Sequence, residues 1–433
     1  MKRSFAPLTA SPSLLALLCG ACFALPACDS GDKGSGDSAA TQDPSGTGGM
    51  DETGGDTAQE TGTSHDHDET GTLDDTGDTT DTDEPGGPAT WTVHGHPCPG
   101  VNRTDALHRD DDGTLWVGCG TGATGYGLFY SEDDGTSWSE ASADPQEKLH
   151  QFRVSSISRG HDGALYIAGI NQNNSDMVVR LDTSSAPFAA ESTLVAGNQV
   201  GTSFHVGTYR ELSDGRALAE SLNGTDMLYR PDASIGSAAT TWTDTYGWFN
   251  GGATQILDLV VHDDQFYGVG STISEPPRLF LPPTSASAEP YEFVSLTMPH
   301  NTGELWGVAA NEHHVVAVGM NQTANVGRVY VSGSDPYVVD DYIAHSLHDL
   351  IGMPQAVVTW ARGTCIQDDR IAVVGERQPL SANTGIVVLS EDGGQTFTDI
   401  TPDGVTATVS KCLFRPDGAL VVAGANGFIG IYD

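Results

Sequence analysis

The sequence predicts an all-β fold, a seven-bladed β-propeller, on three observations. A short β-rich unit recurs seven times at a spacing near fifty residues. No stretch between the copies carries the 3.6-residue apolar period of a helix. The last copy ends one strand short, and a segment of the missing type stands ahead of the first copy.

The chain begins with a different kind of segment. Lys2 and Arg3 precede an apolar run from Leu14 to Leu25 that is too short to span a bilayer, the pattern of a secretory signal over residues 1–27. It closes on Leu25-Pro26-Ala27-Cys28, which resembles the lipobox of bacterial lipoproteins. That resemblance implies cleavage before Cys28, lipidation of Cys28, and a protein held on a membrane of the bacterial cell envelope. Which membrane the sequence leaves open.

Residues 28–89 are the next element. From Asp29 onward they are almost wholly Gly, Asp, Thr, Ser, Glu and Pro, with 17 acids and one lysine. Too little apolar surface is present to offset chain entropy, so the segment is expected to be a disordered tether. Flexible-chain scaling gives it an r.m.s. reach of about 45 Å, extended further by self-repulsion. The run Ser64-His65-Asp66-His67-Asp68-Glu69 holds metal-ligating residue types, but nothing fixes their geometry, and it reads as a solvated charge run.

Residues 90–433 hold the repeats. An Asp or Gly turn pair opens each β-rich run: Asp112-Gly113 before Leu115-Trp116-Val117, Asp162-Gly163 before Leu165-Tyr166-Ile167, and Asp214-Gly215 before Ala217-Leu218-Ala219. The later copies start at Asp263, Glu312, Asp368 and Asp417, and the turn of the Glu312 copy is degenerate. Successive starts lie 50, 52, 49, 49, 56 and 49 residues apart. Such a period, with hairpin signals and short strands, fits one four-stranded blade per repeat. Each turn pair then joins the first strand of a blade to its second.

Two copies carry a sharper hairpin between the third and fourth strands, Ser131-Glu132-Asp133-Asp134-Gly135-Thr136-Ser137-Trp138 and Ser390-Glu391-Asp392-Gly393-Gly394-Gln395-Thr396-Phe397. Both resemble the Asp-box, or BNR, repeat of propellers of the sialidase, sortilin and photosystem-assembly-factor types. The chemistry suits a turn that opens on Ser131 or Ser390: Asp133 and Asp392 can accept turn amides, Gly135 and Gly394 supply the unusual φ, and Trp138 and Phe397 pack between sheets. The motif marks structure and assigns no reaction.

The ends complete the ring. Phe428-Ile429-Gly430-Ile431-Tyr432 is a third strand with no fourth after it, and Thr90-Trp91-Thr92 matches Ser137-Trp138-Ser139 and Thr396-Phe397-Thr398. The N-terminal strand is therefore expected to close the last blade and cover its edge. Beyond Cys28, four cysteines remain after cleavage, Cys98, Cys119, Cys365 and Cys412. An even number in an exported chain suggests two disulfides in one of three connectivities. Matching positions in neighbouring blades favour Cys365 with Cys412, and the flanks of the first blade favour Cys98 with Cys119.

Composition then narrows function. With 58 acidic and 19 basic side chains, four of them lysines, the chain is no nucleic-acid binder. No spacing calls for a metal or a cofactor, and a monomer is expected. The repeat alignment places Arg103, Arg153, His205, Arg362 and Lys411 just ahead of or inside the channel-lining strands, with Trp306 and Trp360 among them. Around one channel they would form a cationic, aromatic mouth on an acidic body, suited to a carboxylated or phosphorylated ligand. Pairing of the same arginines with carboxylates between blades is the alternative. The expected role is a binding or scaffold module that recognises an acidic glycan or an envelope protein. A sialidase-like hydrolase is the second reading: Phe152-Arg153-Val154-Ser155 resembles that family's Phe/Tyr-Arg-Ile-Pro motif, without its proline. An assembly factor for a protein partner is the third.

Overall fold

The computed structural model describes residues 89–433 except 96, 99–103, 122–123, 142–148, 150–151, 171–175, 196–205, 222–226, 231–241, 245–253, 273–275, 285–292, 300–302, 355–356 and 379–383. Lipidation of Cys28, the signal segment and the tether lie outside the described residues. The chain opens with strand β1 (Trp91–Gly95) and then builds blade one from β2 (Thr104–Arg109), β3 (Leu115–Thr121), β4 (Thr124–Ser131) and β5 (Ser139–Glu140). Blade two holds β6 (Arg153–Arg159), β7 (Leu165–Ile170), β8 (Asp176–Asp182) and β9 (Ala189–Val195). Blade three holds β10 (Val206–Glu211), β11 (Ala217–Ser221), β12 (Met227–Arg230) and β13 (Thr243–Asp244).

The second half repeats the plan. Blade four is β14 (Thr254–His262), β15 (Gln265–Thr272), β16 (Arg278–Leu281) and β17 (Val294–Thr297). Blade five is β18 (Gly303–Ala310), β19 (Val315–Asn321), β20 (Val326–Val331) and β21 (Ile343–Ser346), with one helical turn, α1 (Leu347–Leu350), behind it. Blade six is β22 (Val358–Gln367), β23 (Arg370–Gln378), β24 (Thr384–Ser390) and β25 (Thr398–Asp399); blade seven adds β26 (Val409–Phe414), β27 (Leu420–Gly424) and β28 (Phe428–Tyr432). Every sheet is an antiparallel meander, and the protein is a seven-bladed propeller.

The apolar alternation of the strands explains why the blades stack. A blade buried on both faces needs apolar residues on both, and β7, Leu165-Tyr166-Ile167-Ala168-Gly169-Ile170, is buried throughout. Its Leu165 and Ile167 pack toward blade one, with Trp116 and Leu128, while Tyr166 and Ala168 pack toward blade three, with Tyr209 and Ala219. Each of the seven blade interfaces holds one such cluster among the described residues. The interface between blades seven and one, with Val117 and Cys119 against Val421 and Ile429, shuts the circle.

In blade seven, β1 runs antiparallel to β28, from Trp91 opposite Tyr432 to Gly95 opposite Phe428. Thr90 and Asp433 exchange backbone hydrogen bonds of 3.1 and 3.2 Å. Trp91 packs on Tyr432 in a tilted ring pair with centroids 5.1 Å apart and donates its indole N–H to Ile400 O of blade six, at 2.6 Å. Disulfides brace both flanks of this blade. Cys365 on β22 joins Cys412 on β26, and Cys98, three residues past β1, joins Cys119 on β3. The Cα separations are 5.8 and 5.6 Å.

The two sharp hairpins share one hydrogen-bond pattern. Ser131 Oγ donates to Asp133 at 2.8 Å and accepts the Gly135 N–H at 2.8 Å, while Asp133 takes the Ser137 amide at 2.8 Å and its hydroxyl at 2.6 Å. Ser390, Asp392, Gly394 and Thr396 repeat this within 0.1 Å. Gly135 and Gly394 take φ of 85° and 82°, which a side chain disfavours. Trp138 packs at the interface of blades seven and one, and Phe397 at that of blades five and six.

Candidate ligand-binding mouth

The innermost strand of every blade, β2, β6, β10, β14, β18, β22 and β26, breaks register with its neighbour at one place. The skipped residues are Asp105, Ser155, Gly207, Leu257, Trp306, Arg362 and Ser410. A β-bulge leaves its extra residue outside the ladder and re-aims it. All seven of these residues line one cavity of about 210 Å³, joined by Arg153, Thr208 and Lys411. Seven strands thus deliver one bulged position each to the same mouth.

Glycines on the second strands make the bulges possible. A Cβ on Gly270, Gly319, Gly375 or Gly424 would come within 1.9–2.1 Å of the carbonyl oxygen of Gln255, Glu304, Trp360 or Thr408. Each of those carbonyls sits two residues ahead of a bulge, so only glycine admits the approach.

The ring is uniform in backbone and varied in side chain. Blades six, seven, one and two bring the charges: Arg362, Lys411, Asp105 and Arg153. Blades three to five bring Gly207, Thr208, Leu257 and Trp306. Arg362 lies against a pair of indoles that touch each other, its guanidinium carbon 4.0 Å from the Trp360 ring centre and 4.6 Å from that of Trp306. It donates to Glu376 Oε1 through Nε at 2.9 Å and a terminal nitrogen at 2.5 Å, and Thr408 donates to the other Glu376 oxygen at 2.6 Å. Trp306 donates its indole N–H to Glu304 at 2.8 Å. Arg362 is therefore a rigid, already neutralised wall.

Lys411 differs. It is half-buried in the mouth, and among the described residues it makes no ion pair. An ammonium withdrawn from water without a carboxylate is costly. Lys411 is a partly shielded ammonium in a chain of net charge −39.

Of the residues the sequence singled out, Arg153, Trp306, Arg362 and Lys411 meet in this cavity. Trp360 does not line it; it backs Arg362, because its place two residues ahead of the bulge carries its ring behind the guanidinium. Arg103 and His205 lie outside the described residues. Sequence reasoning missed Asp105, Ser155, Gly207, Thr208, Leu257 and Ser410. The signal was present: every bulge residue stands seven positions ahead of a turn residue, Asp112, Asp162, Asp214, Asp264, His313, Asp369 or Asp417. The described lining holds one carboxylate and no tyrosine, so the nucleophilic Tyr/Glu pair of a sialidase has no counterpart among these residues.

A second polar cluster sits at the opposite ends of the inner strands. His161, Asp162 and Glu211 bring their ligand atoms within 4.8 Å of one another. Each is already engaged: Glu211 pairs with buried Arg230 and with His161 at 3.1 Å, and Asp162 with Arg180 at 2.6 Å. With its carboxylates paired to Arg180 and Arg230, the cluster is a structural ion-pair network.

No protein-family model matches the chain, and no curated protein matches it. Solved structures do resemble it. Virginiamycin B lyase from Staphylococcus aureus superposes with a TM-score of 0.53 at 10% identity, over 80% of this chain and 99% of that one. YCF48 bound to D1 peptide gives 0.52 at 14% identity, over 79% and 96%. The Cps50 (Swd1) propeller domain of Myceliophteria thermophila gives 0.51 at 11%, over 80% and 99%. At these identities the likeness is one of fold, shared by a lyase and by a peptide-bound protein.

Proposed function

We propose that this protein is a binding module that takes an anionic ligand at the channel mouth, carried on an acidic tether and held to an envelope membrane through lipidated Cys28. The ligand is the carboxylate of an acidic glycan or of an envelope protein. Lys411 carries the reading: a half-buried lysine in the mouth makes no ion pair among the described residues, and a ligand anion would complete it. Arg153 on the adjoining arc supplies a second cation. Because the body is strongly acidic, a local positive mouth attracts anions only at short range and selects against polyanions, which the surrounding charge repels. The propeller neighbour YCF48 was solved with a bound peptide, which supports a protein-derived ligand as one source of the carboxylate.

The test is a screen of acidic saccharides and carboxylate-bearing peptides against wild type and Lys411→Gln, run beside a chromogenic sialoside assay. Salt-sensitive binding that weakens about tenfold in Lys411→Gln, as expected for one lost charge-assisted hydrogen bond, without turnover, supports the module. Turnover abolished by Arg153→Ala would replace it with the hydrolase.

A further inference from the structure

Resting on that reading, we infer that the Cys365–Cys412 disulfide is a positioning element of the mouth: it fixes the backbone that carries Lys411, so the mouth is fully formed only while that bond is closed.

The first observation is where the bond lies. Cys412 stands two residues past the blade-seven bulge at Ser410, and Cys365 three residues past the blade-six bulge at Arg362. Lys411 is the residue between bulge and half-cystine. In the other blades Leu107, Ile157, Tyr209, Leu259, Val308 and Thr364 hold the place of Cys412. The one covalent joint between inner strands among the described residues thus falls on the pair of blades that brings Arg362 and Lys411 to the cavity.

The second is that Lys411 is pinned from both sides. Ser410, just before it, donates its hydroxyl to Thr104 O of blade one at 2.8 Å. Cys412, just after it, is bonded to blade six with a Cα separation of 5.8 Å. The two inner strands also approach closely at this level, since a Cβ on Gly363 would lie 2.7 Å from Ser410 O. A bulge interrupts the ladder, so its neighbours keep their place only if something outside the sheet holds them. Here a hydrogen bond does so on one side and a covalent bond on the other. A charge already fixed where the ligand needs it binds more tightly than one that must be ordered on binding.

The third is access. Cys365 and Cys412 are partly exposed, whereas Cys98 and Cys119 are 1% and 0% exposed. A small dithiol therefore reaches the Cys365–Cys412 bond first. Its two thiols pass their protons to the Cys365 and Cys412 sulfurs as that S–S bond breaks, and the reagent is oxidised to its own cyclic disulfide.

The experiment opens this bond in the full chain by two routes: mild dithiol treatment, with the freed thiols alkylated and mapped by mass spectrometry, and the Cys365→Ala, Cys412→Ala double variant. Melting temperatures are measured first, and every comparison is made well below the lowest of them. Lysines are labelled by reductive methylation with isotopically enriched formaldehyde, and the Lys411 methyl resonance is identified by its absence from Lys411→Gln. Affinity is measured on unlabelled protein with glucuronate and N-acetylglycine as probes. The expected result is a Lys411 resonance displaced from that of free dimethyl-lysine while the bond is closed, moving toward it when the bond is opened by either route. Affinity for the probe that binds is expected to fall about fivefold at the same time. In Lys411→Gln, opening the bond is expected to change affinity no further, because the effect acts through that side chain. A Lys411 resonance that is the same with the bond closed and open overturns the inference. So does an equal further loss of affinity in Lys411→Gln, which would mark a general loosening of the ring. A resonance that moves in a protein that binds neither probe supports the positioning role and overturns the proposed binding function.

Discussion

Asp133 and Asp392 show how much one exposed side chain can organise. The carboxyl of Asp133 is held down at about 2, first by the Ser137 hydroxyl and amide and then by the Ser131 hydroxyl. Asp392 is held at about 2 by the equivalent Thr396 and Ser390 groups. A depressed carboxyl stabilises the fold above its unfolded value, near 4, and that contribution is lost as pH falls toward 2. Asp133→Asn combined with Asp392→Asn should therefore lower the melting temperature by a few degrees at pH 7, and the gap to wild type should close between pH 4 and 2. Melting curves across that range check it; a gap that persists at pH 2 would assign the loss to altered packing. These residues were legible in the sequence because a tight turn needs its acceptors and its glycine within eight consecutive positions. The mouth is built from residues about fifty positions apart and was only half legible: the cationic and aromatic side chains stood out, while Asp105, Leu257 and Ser155 looked ordinary until their common distance from the turns put them on one cavity.

Among elements, the inner strands decide where function sits. Their bulges recur at one level in all seven blades, and the second-strand glycines that accommodate them appear in the repeat as a terminal Gly after a run of apolar residues. Gly375→Ala would place a methyl 2.0 Å from Trp360 O, beside the bulge that presents Arg362. Relieving that contact should cost about 1–3 kcal/mol, measured by denaturant unfolding, and should weaken anion binding beyond what the lost stability explains. An unchanged unfolding midpoint would show that the bulge does not need the glycine. The fifth copy, degenerate in sequence at its turn, still forms the hairpin. Asn311 takes over by accepting the amides of His313 and His314 at 3.0 and 2.8 Å, a substitution of side-chain cap for backbone glycine that a repeat search cannot weigh.

At the scale of the whole molecule, ring closure and charge come together. Seven interface clusters make each blade dependent on two neighbours, and at the seam the two chain ends meet within one blade. There β1 covers the edge of β28 and the Cys98–Cys119 disulfide holds the chain three residues farther on. Deleting residues 90–94 should expose that edge and lower the melting temperature, whereas deleting 35–85 should leave it unchanged; differential scanning calorimetry of the two deletions distinguishes a latch from an ornament. Closure was legible because the missing fourth strand had a matching segment at the opposite end. The charge pattern was legible only in outline: composition gives −39 for the chain, while the repeat alignment put Lys411 toward the channel and said nothing of its lack of an ion pair among the described residues. The most direct test of the binding mouth is therefore the salt dependence of carboxylate affinity, measured by calorimetry between low and physiological ionic strength on wild type and Lys411→Gln. The account predicts that wild-type affinity falls as salt rises and that Lys411→Gln both weakens binding and flattens that slope. Equal affinity and equal slope in the two proteins would contradict it.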